Sequence, residues 1–343
     1  MTKKFMYWSL GVGALICTLL GVFIVFTSIS VKKFLTTHIN GALNQQQAIT
    51  FSPFECQGLF KISCSSKKLS LLDKNSSQVI DFENFILGLE SLDKSSLTLS
   101  IKSQAKSPIL EQLAHEKITQ IPLKDLNTLF EKTKPTHLKC SLKFNAIDTK
   151  TLDSHLKCDL SNQQKILSYT FSQDTKAITQ NNLSIKSILE TLTSQDKGAL
   201  ENLKDNLHFS FYHSELSLKS NHLKKLLEPF YNQNKESLSF FSPYFSLRSH
   251  QAPNIPYDST LLFLEEHLIA LLQSDFKDNP TYFEIQKNSK DFLKALVAMA
   301  KEERSTITLS ANVKDTKAFF NLREMAKMPL GQHFFKSYQF NVQ

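Results

Sequence analysis

Four cysteines carry the chemistry most directly derivable from this chain: Cys56, Cys64, Cys140 and Cys158. Thiols in pairs do one of two things. They oxidise to a disulfide or, joined by histidines, they hold a metal as thiolates. Cys140 and Cys158 each close the same tetrapeptide, His-Leu-Lys-Cys, beginning at His137 and at His155. A zinc site would need His137, Cys140, His155 and Cys158 to converge on one point. A hairpin would instead set the two cysteines face to face.

The residues around both tetrapeptides alternate polar and apolar with period two, as half-buried strands do. On a strand, residues three apart point to opposite faces, so the alternation that predicts a hairpin also disperses the zinc ligands. With the turn at residues 147–151, Cys140 faces Cys158, Leu142 faces Leu156 and Leu138 faces Leu160. Lys139 then meets Asp159 on the other face, an opposite-charge pair that supports this register. Opposed residues in an antiparallel pair have Cα atoms about 4.5–5.5 Å apart, within reach of a disulfide. We expect the disulfide and assign no metal ligands. Cys56 and Cys64 make the second pair, with Gly58 placed to supply a bend between them. Four cysteines allow three connectivities, and no register selects this pairing.

No catalytic motif accompanies the cysteines. The chain has no Gly-x-Ser-x-Gly elbow, phosphate loop, His-Glu-x-x-His or dinucleotide fingerprint, and 8 glycines leave little material for phosphate-cradling loops. His208 and His213, five apart on an expected strand, fall on opposite faces and make a poor metal pair. His267 belongs to a polar helix face after Glu265 and Glu266, and His222 to a solvated helix start. The expectation is a non-catalytic protein without cofactor or metal.

What positions the cysteines begins at the other end of the chain. Between Phe5 and Val31 there is no Asp, Glu, Lys, Arg or His, and lysines flank the run on both sides. About 20 apolar residues suffice to cross a bilayer as a helix, so the run reads as a transmembrane signal anchor. Cleavage after Ser30, at Ser28-Ile29-Ser30, is the second reading. A lipoprotein site at Cys17 fails because Ile16 stands where a small residue is required. Lys3 and Lys4 balance Lys32 and Lys33, so charge alone leaves the orientation tied. Paired cysteines persist in oxidising compartments, which places the body outside the cytosol and residues 1–4 inside.

The net charge of +8 is almost all lysine, the only arginines being Arg248, Arg304 and Arg323. Arginine is favoured for bidentate phosphate and base contacts, so nucleic acid is not an expected partner. With 27 Phe, 1 Trp and abundant Lys, the composition is that of an AT-rich genome. Together with the anchor, it points to a bacterial inner-membrane protein with a periplasmic body. Asp73-Lys74-Asn75-Ser76-Ser77 matches an acidic-x-Asn-x-Ser glycosylation acceptor, with Asn75 as the modified residue and a polar turn as the plainer reading.

The expected fold class is α+β: the transmembrane helix, then a β-rich, mainly antiparallel body with amphipathic helices, more helical towards the C-terminus. Strands are expected at 49–54, 67–72, 79–89, 97–101, 138–160 (as the hairpin), 166–171, 207–218 and 306–313. Helices are expected at 34–43, 109–113, 188–192, 222–231, 261–276, 291–301 and 316–325. A recurring strand-then-helix pattern fits either duplication or ordinary α+β architecture. Prolines at 243, 253 and 256 suggest a boundary near 255, dividing a β-rich domain at 32–255 from a helix-rich subdomain at 256–343, unless the latter packs on the same core.

In this layout, and in strands such as Leu97-Thr98-Leu99-Ser100-Ile101, the chain resembles AsmA-like proteins. The resemblance implies a bacterial envelope protein whose sheet holds lipid acyl chains along an apolar groove. Its motifs are too general to carry over any functional residue. Lipid or amphiphile binding is thus the first expectation, a scaffold or assembly factor of an envelope complex the second, and an enzyme the third. Phe209 and Phe211 are candidates to line such a groove with Leu216 and Leu218. By strict alternation the two pairs face oppositely, so a shared groove requires a bulge near 213–214.

Overall fold

The computed structural model describes residues 29–44, 48–58, 61–72, 79–93, 95–106, 128–129, 131–162, 166–179, 206–234, 255–275, 283–315, 319–321 and 337–343. Among these residues, twelve strands form one sheet in which every pairing is antiparallel. After helix α1 (Ile29–Asn44) come β1 (Ile49–Phe51), β2 (Glu55–Gln57), β3 (Ser63–Leu72), β4 (Val79–Leu92) and β5 (Ser96–Lys106). Then follow β6 (His137–Ala146), β7 (Thr151–Ser161), β8 (Ser168–Thr179) and β9 (Leu207–Lys219). Helices α2 (Leu223–Asn234), α3 (Tyr257–Asp275) and α4 (Phe283–Ala300) precede β10 (Thr306–Val313), β11 (Phe320–Asn321) and β12 (Tyr338–Val342). Strands β3 to β10 neighbour one another in chain order, so the body of the sheet is a meander.

Because opposed residues share a face, the register defines what each face carries. One row runs Cys64, Leu87, Ile101, Cys140, Cys158, Phe171, Leu216, Leu309, Val342 across β3 to β12. The other face is polar, with Lys139 opposite Asp159 and His155 opposite Asp174. The hairpin β6–β7 has the expected register, and Cys140 and Cys158 are disulfide-bonded with Cα atoms 4.0 Å apart. Cys56 and Cys64, directly opposed on β2 and β3, form a second disulfide. Gly58 makes the bend between them at φ +107°, where a Cβ would lie 1.9 Å from the Lys61 carbonyl oxygen. Only glycine tolerates that conformation and that approach.

The expected α+β class with a leading transmembrane helix is corrected. The described residues are mainly antiparallel sheet, and no helix among them is long and apolar enough to cross a membrane. Residues 5–28 of the anticipated span, like Asn75 and the helices expected at 109–113 and 188–192, lie outside the described residues. Val31 belongs to α1, which carries Lys32 and Lys33 and is amphipathic. It buries Leu35, Ile39 and Leu43, four apart on one stripe, against the apolar face. At the far end α4 covers the same face, packing Ala295 and Met299 on Ile307, with Phe292, Leu218 and Val342 alongside. Helix α4 starts at Phe283, eight residues before the expected start at Asp291. The helix expected at 316–325 gives way at Phe320 and Asn321 to a strand beside β9.

One edge of the sheet is interrupted. Strands β1 and β2 both pair with β3, and the chain between them leaves the ladder. The Ser52 N–H still donates to the Lys68 carbonyl at 2.7 Å, and three further backbone groups find side chains. The Asn40 amide nitrogen donates to the Phe54 carbonyl at 3.2 Å, and the Phe54 N–H donates to Asn40 Oδ1 at 2.8 Å. Ser66 Oγ donates to the Ser52 carbonyl at 2.6 Å. A helix residue thus completes the edge and orients α1 over the core. Since Phe54 is buried, Asn40→Ala strands one donor and one acceptor, with an expected loss of about 1–3 kcal/mol. Asn40→Asp, which keeps the acceptor, should lose less. Urea denaturation midpoints check this order, and an unchanged midpoint for Asn40→Ala would show that water replaces the amide at no cost.

A candidate apolar binding groove

The apolar face is sealed at one end and open near the other. Along the row through the disulfide, Cys64 is 0%, Leu87 1%, Ile101 8% and Cys140 7% exposed, yet Leu216 on β9 is 43% exposed. Helix α1 packs into this core at the edge formed by β1 and β2, and α4 lies over Ile307. Between the two covers the sheet has a groove of about 370 Å³. Its floor is Phe171, Leu216, Leu309 and Phe340, and its wall is α4 at Asn288, Ser289 and Phe292. Such a volume falls within the range of small-molecule sites.

A β-bulge keeps the apolar face of β9 continuous on the way to this floor. On β9, Phe211 opposes Thr175 and His213 opposes Asp174, so Tyr212 is the extra residue. Before it Phe209 and Phe211, and after it Ser214, Leu216 and Leu218, all face the apolar side. The irregularity falls one residue before the position at which the spacing of Phe and Leu calls for it. It also corrects the reading of the histidines. His208 and His213 share the polar face, opposite Ile178 and Asp174, four residues or about 13 Å apart along β8.

The electrostatics of the two faces differ. On the polar face, His155 Nδ1 lies 2.5 Å from Asp174 Oδ1, and His213 Nδ1 lies 2.7 Å from Asn312 Oδ1. Burial raises the Tyr212 phenol above its ordinary pKa, and the nearby Asp174 and Asp153 carboxylates add to this. On the apolar face, burial also raises the Tyr169 pKa, so its phenol stays neutral beside Leu218. No group of His, Cys, Asp and Glu among the described residues is arranged to hold a metal. Of the four imagined zinc ligands, both cysteines are consumed by the disulfide, and His155 is engaged by Asp174 on the other face.

The groove itself is not a sequence motif. Its residues come from β8, β9, β10, β12 and α4, and the only forewarning was the mismatch between Phe209–Phe211 and Leu216–Leu218. No protein-family model and no curated protein matches the chain. Its functional reading therefore rests on its own geometry.

Proposed function

We propose that the protein is a non-catalytic binder of lipid or another amphiphile, acting outside the cytosol in a bacterial envelope. The observation that carries this is Leu216. It is a large aliphatic side chain on the buried face of the sheet, in line with a disulfide and a core, and it stays 43% exposed at the edge of an apolar groove. A face that has buried Leu87 and Ile101 leaves such a residue uncovered where something else is to cover it. The two disulfides support an oxidising compartment.

The full chain, held in solution by amphipol, is to be titrated with N-phenyl-1-naphthylamine, a neutral probe that fluoresces in apolar surroundings. Saturable binding is expected. Leu216→Asp should weaken it about tenfold or more by placing a carboxylate in the groove. Because Leu216 is already half exposed, that variant should keep the wild-type circular dichroism spectrum. Equal probe affinity in the two proteins would remove the groove as the binding site. It would leave the scaffold reading ahead.

A further inference from the structure

The groove's floor is crossed by one row of apolar side chains: Phe171, Leu216, Leu309 and Val342, one from each of four adjacent strands. At the spacing of neighbouring strands this row is about 14 Å long. Beside it the same face turns polar on β8 and β9, while Ala311 and Phe340 keep that second row apolar on β10 and β12. Gln173 opposes Ser214, and Thr175 opposes Ser154, all four half-buried. Across the groove α4 presents Asn288 and Ser289. Every one of these groups is uncharged. Among the described residues lining the groove, Glu215 alone is ionisable, and its carboxylate lies on the other face, 3.9 Å from His213 Nε2.

A groove of about 370 Å³, with room for one acyl chain on its apolar floor and neutral hydrogen-bonding groups at its flank, selects its occupant by two mismatches. A phosphate or carboxylate seated against Gln173 and Ser214 would lose water and gain no cation from the described residues that line the groove, which is strongly unfavourable. A hydroxyl or ester group would exchange its hydrogen bonds with water for bonds to Gln173, Ser214 or Ser289 at little net cost. We infer that the groove takes a single-chain amphiphile with an uncharged, hydroxyl- or ester-bearing headgroup, in preference to a fatty acid or an anionic lysophospholipid. This rests on the amphiphile reading above and adds the headgroup chemistry to it.

The test is displacement of N-phenyl-1-naphthylamine from the full chain by three competitors with the same oleoyl chain: monooleoylglycerol, oleate and lysophosphatidylglycerol. Monooleoylglycerol is expected to compete about tenfold more tightly than either anion at pH 8. Replacing Gln173→Leu and Ser214→Ala together should erase most of that preference, read as the ratio of the competitors' affinities within the variant. The substitutions make a half-buried apolar face more apolar, so the fold should survive them. Oleate or lysophosphatidylglycerol competing as well as monooleoylglycerol would overturn the headgroup inference and leave amphiphile binding standing. Absence of saturable probe binding, with no competition by any of the three, would overturn both.

Discussion

Replacing Cys140 and Cys158 together by serine is expected to cost about 3 kcal/mol, from the loop-closure entropy of cross-linked residues 18 apart. The register of β6 and β7 does not depend on the bond. Leu138 opposes Leu160, Leu142 opposes Leu156 and Lys139 opposes Asp159 with or without it, so the variant should fold to the same sheet. What changes is the unfolded chain, which gains freedom, and the core, which receives one hydroxyl at the buried Cys140 and one at the partly buried Cys158. The shorter loop of Cys56 and Cys64, 8 residues apart, should contribute somewhat less, about 2.5 kcal/mol on the same model. Denaturant titrations of the single, double and quadruple serine variants would measure both contributions. Wild-type stability in the Cys140–Cys158 double variant would mean that the hairpin is held entirely by its neighbours β5 and β8.

The hairpin was legible because three signals coincided in 23 residues: the repeated tetrapeptide, the alternation around it and the opposed charges of Lys139 and Asp159. Strand β8 shows the opposite case. Alternation identifies 166–171 and then stops, because Ser172-Gln173-Asp174-Thr175-Lys176 is polar on both sides. The strand nevertheless continues to Thr179. Its pairing with β7 and β9 carries it through a stretch whose inward residues, Gln173 and Thr175, are themselves polar. The loss of the strand signal and the polar flank of the groove are thus one fact. A similar loss hid the start of α4, whose residues 286–291 are Gln-Lys-Asn-Ser-Lys-Asp and show no apolar stripe. The apolar run at 5–31 is a signal of composition alone, and the described part of it, from Ile29, belongs to a helix defined by Leu35, Ile39 and Leu43 packing on the sheet. Of the four residues expected to line the groove, Leu216 does so and Phe209, Phe211 and Leu218 do not, because the position of the groove is no property of one strand. It depends on where two helices stop covering one face.

Deleting Tyr212 is expected to be tolerated, although it shortens a strand in the body of the sheet. Phe211 opposes Thr175 and His213 opposes Asp174, so no residue of β8 stands opposite Tyr212. Without it Phe209, Phe211, Ser214, Leu216 and Leu218 fall on one face by plain alternation, and each keeps its partner on β8. Tyr212 itself is 38% exposed, so its ring leaves no core cavity. We therefore expect a loss of no more than about 1–2 kcal/mol, from the change of local twist that a bulge imposes. Deleting Ser217 is the opposite case. With the bulge kept, it turns Leu218 away from Ile307, which is 1% exposed beneath α4, and sends Lys219 inward. With the bulge flattened instead, Leu218 stays inward while Leu216 turns out and Glu215 turns in. Either outcome exposes a large apolar group and brings a charge to the buried face, so we expect a loss beyond about 4–5 kcal/mol, seen as aggregation or a missing cooperative transition. Urea denaturation of the two deletions side by side separates the length of β9 from its alternation. If the Tyr212 deletion failed to fold as well, Tyr212 would not be the residue that resets the alternation, and the alignment of Phe211 with Leu216 would need another cause.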